Sequence, residues 1–147
     1  MKKIKLIASF ALVATMLVPT AALANNHDDT LFDFSYYHSG AKLTDVRLKK
    51  DNSYSYMRCT SSKSSGRNDN SLYYYGTVYG AKKSTDTYVN PVYKNKKSSR
   101  IKFKAGTYHY MENYLYEKWG LSCARIYMES GNGTDVMFKG LWSPDSI

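Results

Sequence analysis

Proline, cysteine and histidine are scarce in this chain of 147 residues, at three, two and three copies. No HExxH, GxSxG, phosphate-binding loop or glycine-rich dinucleotide motif is present. The signatures of metalloproteases, serine hydrolases and nucleotide-dependent enzymes are therefore missing. Neither cysteine belongs to a CxxC pair or has a nearby histidine, which argues against a redox centre or a zinc site. Acids are outnumbered, with 12 Asp and Glu against 21 Lys and Arg and a formal charge of +9. The carboxylates are scattered, and only Glu112 and Glu117 stand out as a pair that folding could bring together. His27-Asp28-Asp29 would hold a metal only loosely and reads as a solvated lead. His38 and His109 lie among tyrosines, as surface or interfacial residues. The expectation is a protein that is not an enzyme, with no catalytic residues, cofactor or metal.

What is present begins with an export leader. Met1-Lys2-Lys3-Ile4-Lys5 is a short basic head, and Leu6 to Val18 is an apolar core with mild interruptions at Ser9 and Thr15. Pro19-Thr20 breaks the helix, and Ala22-Leu23-Ala24 supplies small residues at the two positions a signal peptidase reads. Cleavage is expected between Ala24 and Asn25. The apolar core falls short of the ~20 residues of a transmembrane anchor. Asn25 is not the cysteine of a lipoprotein, and the C-terminus from Trp142 to Ile147 has no apolar tail or basic stop segment. Residues 1–24 read as a signal peptide and 25–147 as one secreted, extracellular domain.

Removing 24 residues from 147 leaves 123, and removing the leader's three lysines takes the charge from +9 to +6. A chain of that length buries one modest core. The remaining positive charge favours anionic partners, such as a cell-wall polymer or a membrane surface. Nucleic acid is not an expected partner, since an exported protein seldom meets it and no oligonucleotide-binding motif is visible. In an oxidising compartment Cys59 and Cys123 are expected to form one disulfide, with two separate buried thiols as the other reading. A bridge would close a loop of roughly 65 residues, worth up to about 4 kcal/mol.

Beyond the leader the pattern is one of strands. Leu31 to Tyr36 alternates Phe32, Phe34 and Tyr36 against Leu31, Asp33 and Ser35, the period of a sheet with one buried face. Tyr54 to Thr60 alternates likewise, so an inward Cys59 brings Met57 inward and turns Tyr54 and Tyr56 outward. Ser61 to Asn70 has no apolar residue and reads as an exposed loop or long hairpin tip. Leu72 to Tyr79 is a further strand, and Tyr88 to Tyr93, cut by Pro91, an edge strand. Arg100 to Lys104 sets Ile101 and Phe103 against three cations, and Ala105-Gly106 follows as a turn. Tyr108 to Trp119 fits alternation and helical spacing both, and its tyrosines favour strand. Ser122 to Met128 and Val136 to Trp142 are the last two strands, joined through a Gly-Asn-Gly hairpin signal. The expected fold is all-β, an antiparallel sandwich of about seven or eight short strands.

The 15 tyrosines, all after the leader, exceed what one small core needs. Tyrosine joins a flat apolar ring to a hydroxyl and suits contact with sugars, peptides or a membrane interface. Strand preference alone would also place tyrosines on half-exposed sheet faces. With interleaved lysines they make Tyr54, Tyr56, Tyr73, Tyr75, Lys102 and Lys104 a candidate binding surface.

Three segments carry a resemblance: Lys104 to Tyr110, Ala124 to Glu129, and the closing Gly140-Leu141-Trp142-Ser143-Pro144-Asp145-Ser146. Together they resemble a family of small secreted proteins from Gram-positive bacteria known only as a domain of unknown function. That resemblance implies no catalytic residues. Tyr36-Tyr37-His38-Ser39-Gly40-Ala41-Lys42 is similar to segments of lactococcin-type bacteriocins, which implies a tyrosine-rich β-sandwich acting on a cell-wall precursor. The two functional expectations are a secreted binding protein of the cell envelope and, as the alternative, a bacteriocin-like antagonist of related bacteria.

Overall fold

The computed structural model describes residues 27–36, 40–89, 100–132 and 135–146. Among them, ten strands and one short helix follow in the order β1 (Thr30–Tyr36), β2 (Ala41–Leu43), β3 (Arg47–Leu48), β4 (Ser55–Ser64), β5 (Arg67–Asn68), β6 (Tyr73–Ala81), β7 (Ile101–Lys104), β8 (Tyr108–Met111), α1 (Leu115–Trp119), β9 (Cys123–Ser130) and β10 (Val136–Ser143). Two antiparallel sheets result. Sheet A runs β1-β10-β4-β5, with β8 also on β4, and sheet B runs β2-β9-β6-β7, with β3 also on β9. The all-β sandwich expected from the sequence is present. The extra strands, β2, β3 and β5, are two or three residues long, too short for an alternating pattern to reveal.

Alternation places the core between the sheets. On β4, Ser55, Met57 and Cys59 are fully buried while Arg58 and Thr60 face out. On β6 the inner face reads Tyr74, Gly76, Val78, Gly80. Its glycines make room: a Cβ at Gly76 would meet Phe103 at 3.0 Å, and one at Gly80 would meet Leu115 at 2.6 Å. Tyr74 stacks on Phe103 at 5.2 Å and meets Phe138 of the opposite sheet edge-on at 4.9 Å. Trp142, Ile126, Met128 and Met111 complete the cluster, each fully buried. Burying such side chains contributes about 1.5–3 kcal/mol apiece.

The closing motif belongs to this architecture. Trp142 fills the core, and Asp145, fully buried, meets the equally buried Lys49 at 3.0 Å. The Lys49 ammonium also donates to the carbonyls of Ser53 at 2.6 Å and Pro144 at 3.0 Å. The other Asp145 oxygen accepts the Lys50 amide at 3.1 Å. Ser55 donates to the Pro144 carbonyl at 2.8 Å, and the Ser146 amide donates to the Ser53 hydroxyl at 2.9 Å. The Asp145 carboxylate, the Pro144 carbonyl and the Ser146 amide thus each meet a partner, as burial of charge requires.

Three expectations are corrected. The Cys59–Cys123 disulfide is not formed; both cysteines are free and buried. Cys59 lies beside Tyr74 at one end of β6, whereas Cys123 pairs with Ala81 at the other. Seven residues of strand separate those positions by about 23 Å, and a bridge needs Cα atoms within about 7 Å. Tyr108 to Trp119 is not one strand, because β8 stops at Met111 and α1 follows. Leu115 inserts fully into the core, and Gly120, at φ 60°, closes the helix with its amide on the Tyr116 carbonyl at 3.1 Å. β9 and β10 do not form a hairpin, since they belong to different sheets. Gly131 and Asn132 instead bond to Tyr73 of β6, holding the exit of β9 to its own sheet. The polar stretch Ser61 to Asn70 is a hairpin tip, the second of its two expected forms. β4 continues to Ser64 and turns at Ser65-Gly66, both at positive φ, into β5.

Several expectations fall on residues outside those described. These are the leader with its Ala24–Asn25 boundary, His38, and most of Tyr88 to Tyr93, of which Val89 bridges Gly80. No helix among the described residues is long and apolar enough to cross a membrane.

Candidate functional site

The outer face of sheet B gathers aromatic rings and cations in register. Directly opposed residues share a face, so the pairs Tyr73↔Lys104 and Tyr75↔Lys102 of β6 and β7 face out together. Across β6 and β9, Tyr75↔Glu129, Thr77↔Tyr127 and Tyr79↔Arg125 extend the same face. The Lys102 ammonium sits 3.6 Å from the Tyr73 ring centroid, and the Arg100 guanidinium 3.9 Å from that of Tyr75. Arg125 stacks on Tyr88 at 3.9 Å. Tyr73 and Tyr75 pack edge-on at 5.6 Å, and Tyr79 and Tyr127 meet at 5.2 Å.

Its electrostatics are one-sided. Arg100, Lys102, Lys104 and Arg125 stand on this face with the Glu129 carboxylate, which holds Arg100 at 3.1 Å. Partial burial, and then the Glu129 carboxylate, push the Tyr127 phenol above its ordinary value. Rings beneath the cations restrict their side chains without neutralising them, so charge stays available to a ligand.

Of the six residues expected to form one binding surface, the fold brings together four: Tyr73, Tyr75, Lys102 and Lys104. Tyr56 lies on the outer face of sheet A, opposite Tyr110 of β8, with the core between it and sheet B. Tyr54 precedes β4, 44% exposed. These two cannot share a small ligand with the other four. Arg100, Arg125, Tyr79 and Tyr127 belong to the site and were not among the six. Their signal was the alternation Arg125, Tyr127, Glu129 in one strand and the third cation of Arg100 to Lys104.

The other expected chemistry resolves as follows. His109 is half-buried and packs against Phe103 at 5.1 Å. Glu112 accepts a hydrogen bond from the Tyr114 hydroxyl, while Glu117 lies exposed on α1. The main-chain carbonyl of Asp28 accepts from Arg47. Among the described residues, no group of three or more His, Cys, Asp or Glu side chains comes together to hold a metal ion.

A family model described as a protein of unknown function (DUF2712) matches residues 19–146. The chain belongs to the DUF2712 family. This agrees with the resemblance carried by the three segments between Lys104 and Ser146. No curated protein and no solved structure matches the chain. The matched span of the DUF2712 domain includes both the cation–tyrosine face and the buried Lys49–Asp145 lock. The family motif therefore mixes two roles: Trp142 and Asp145 hold the fold, while Arg125 and Tyr127 stand on the open face of sheet B. The likeness to lactococcin-type bacteriocins rests on residues 36–42, of which 37–39 lie outside those described.

Proposed function

We propose that this DUF2712 protein is exported through its N-terminal leader and acts, without catalysis, by binding an anionic polymer at the cell envelope. The observation that carries the reading is the outer face of sheet B, where Arg100 and Lys102 lie 3.9 and 3.6 Å from tyrosine rings. Such a face is suited to a repeating anion. Four cations on the two sides of β6 match charge spaced along a chain, and the rings between them cover its apolar links. The short basic head, apolar core and Ala22-Leu23-Ala24 support export.

The test is retention of the purified exported protein on washed Gram-positive cells, at low and at high salt. Binding should be strong at low salt and fall as ions screen the exposed cations. The double substitution Lys102→Ser with Lys104→Ser should weaken it several-fold. No retention under any condition sinks the proposal. Mass measurement of the secreted form should place its first residue at Asn25, and a chain kept in the cell with its leader intact would remove the export part. A spot assay on the same cells separates simple binding from the bacteriocin-like alternative, which the small basic form raised.

A further inference from the structure

The outer face of sheet A, on the far side of the core, holds a second cleft of different chemistry. We propose that it binds one neutral pyranose ring of a saccharide, stacked on Tyr56 and Tyr110. These two tyrosines are directly opposed between β4 and β8, with ring centroids 5.5 Å apart and planes inclined by 49°. Tyr108 joins them at 6.3 Å from Tyr110. Tyr108 and Tyr110 are 58% and 54% exposed, so these rings lie at the surface rather than in the core.

Beside the rings is a cleft of about 190 Å³. That is below the ~300–1,000 Å³ of sites for drug-sized ligands and leaves room for a single ring. Its walls are polar: His27 and Asp29 come from the N-terminal lead, Ser143 and Ser146 from the chain end. The His27 Nδ1 atom is buried and makes no hydrogen bond among the described residues. A buried polar atom left unpaired is costly, and a ligand hydroxyl in the cleft would satisfy it.

The charge pattern selects against an anion. No lysine or arginine lines the cleft, whereas the carboxylates of Asp29 and Asp145 do. Asp145 is already held by Lys49 and the Lys50 amide, which leaves Asp29 as the acceptor for ligand hydroxyls. A pyranose meets each of these demands. Its axial C–H groups lie against the negative faces of the rings, and its equatorial hydroxyls reach Asp29, His27 and the serines. The cleft is independent of sheet B: it lies on the other face, needs no cation, and should be indifferent to salt.

The experiment is an amide-resolved NMR titration of the exported protein with glucose, galactose, mannose and N-acetylglucosamine, at salt high enough to screen sheet B. The expected result is a saturable shift at His27, Asp29, Tyr56, Tyr110, Ser143 and Ser146 for at least one sugar. Saturation transfer to that sugar's ring protons should accompany it. Tyr110→Ala should weaken binding about tenfold, with the remaining spectrum native. Tyr110→Phe should keep it, and Lys102→Ser with Lys104→Ser should leave it unchanged while reducing cell retention. Absence of a saturable shift at these amides with all four sugars overturns the proposal. So does an undiminished shift in Tyr110→Ala, or displacement of the sugar by inorganic phosphate.

Discussion

Two ion pairs of nearly equal length divide this molecule into what holds it and what it offers. Lys49–Asp145 at 3.0 Å has both side chains wholly buried, whereas Arg100–Glu129 at 3.1 Å has side chains 47% and 42% exposed. The first is enclosed by carbonyl and amide partners on all sides, so losing either charge strands the other in a low dielectric. The second lies in water, where Coulomb attraction is weak and side-chain entropy opposes it. The same contrast separates the closing motif, which anchors the chain end, from the tyrosine–cation face, which stands open to solvent.

The largest effect is expected at the buried pair. Asp145→Asn should cost about 3–5 kcal/mol, the usual penalty for an orphaned buried charge. Chemical denaturation of the variant against the parent measures it. A loss below about 1 kcal/mol would mean that the lock is not what fixes the chain end and that the buried and exposed pairs do not differ in weight.

Alkaline pH probes the interior next. Burial pushes the Cys59 thiol up to about 11 from 9.0, and burial raises the Tyr74 phenol well above 10.0. Both groups favour the protonated form in the folded state. Their contribution is therefore complete below pH 9 and is lost as pH climbs through the folded value of the thiol. Between about pH 9 and 11 the thiol alone should lower stability by about 1.4 kcal/mol per unit. Denaturation midpoints across that range decide it, and a flat profile would contradict the burial of Cys59. The same burial predicts that alkylating reagents label both cysteines only in denaturant. A bridged species in the mass spectrum would restore the disulfide reading.

Smaller effects belong to sheet B. Lys102→Ser with Lys104→Ser should shift stability by no more than about 1 kcal/mol while lowering retention on cells several-fold. Smallest of all, Arg100→Gln should change stability by about 0–1 kcal/mol, read from the same denaturation curves. A large loss of stability in either would show that this face supports the fold rather than serving a ligand.

Periodicity made much of the fold legible. Met57 and Cys59 inward, Tyr56 outward, and Ile101 with Phe103 against three cations all followed from a two-residue repeat, because a buried face leaves that imprint. The helix at Leu115–Trp119 did not follow. Its tyrosines suit a strand locally, and the space that Gly80 leaves for Leu115 is a fact about a strand far away in sequence. The candidate site was half legible for a similar reason. Alternation says that Tyr56 and Tyr73 each face outward but not that they do so from opposite sides of the core.

The sequence by itself determined the class of fold, the leader's signature, the excess of positive charge and the residue types on each strand face, since these depend on local order and composition. Tertiary structure alone decided which strands share a sheet and that β9 and β10 lie in different ones. It also set Cys59 and Cys123 far apart and drew Lys49 and Asp145 together. Those outcomes depend on contacts between distant segments, whose energies come from shared packing and burial that no single stretch of chain encodes. The scarcity of cysteine carries the same lesson: two in an exported chain favour a bridge, and the packing of the core sets Cys59 on β4 and Cys123 on β9 beside opposite ends of β6.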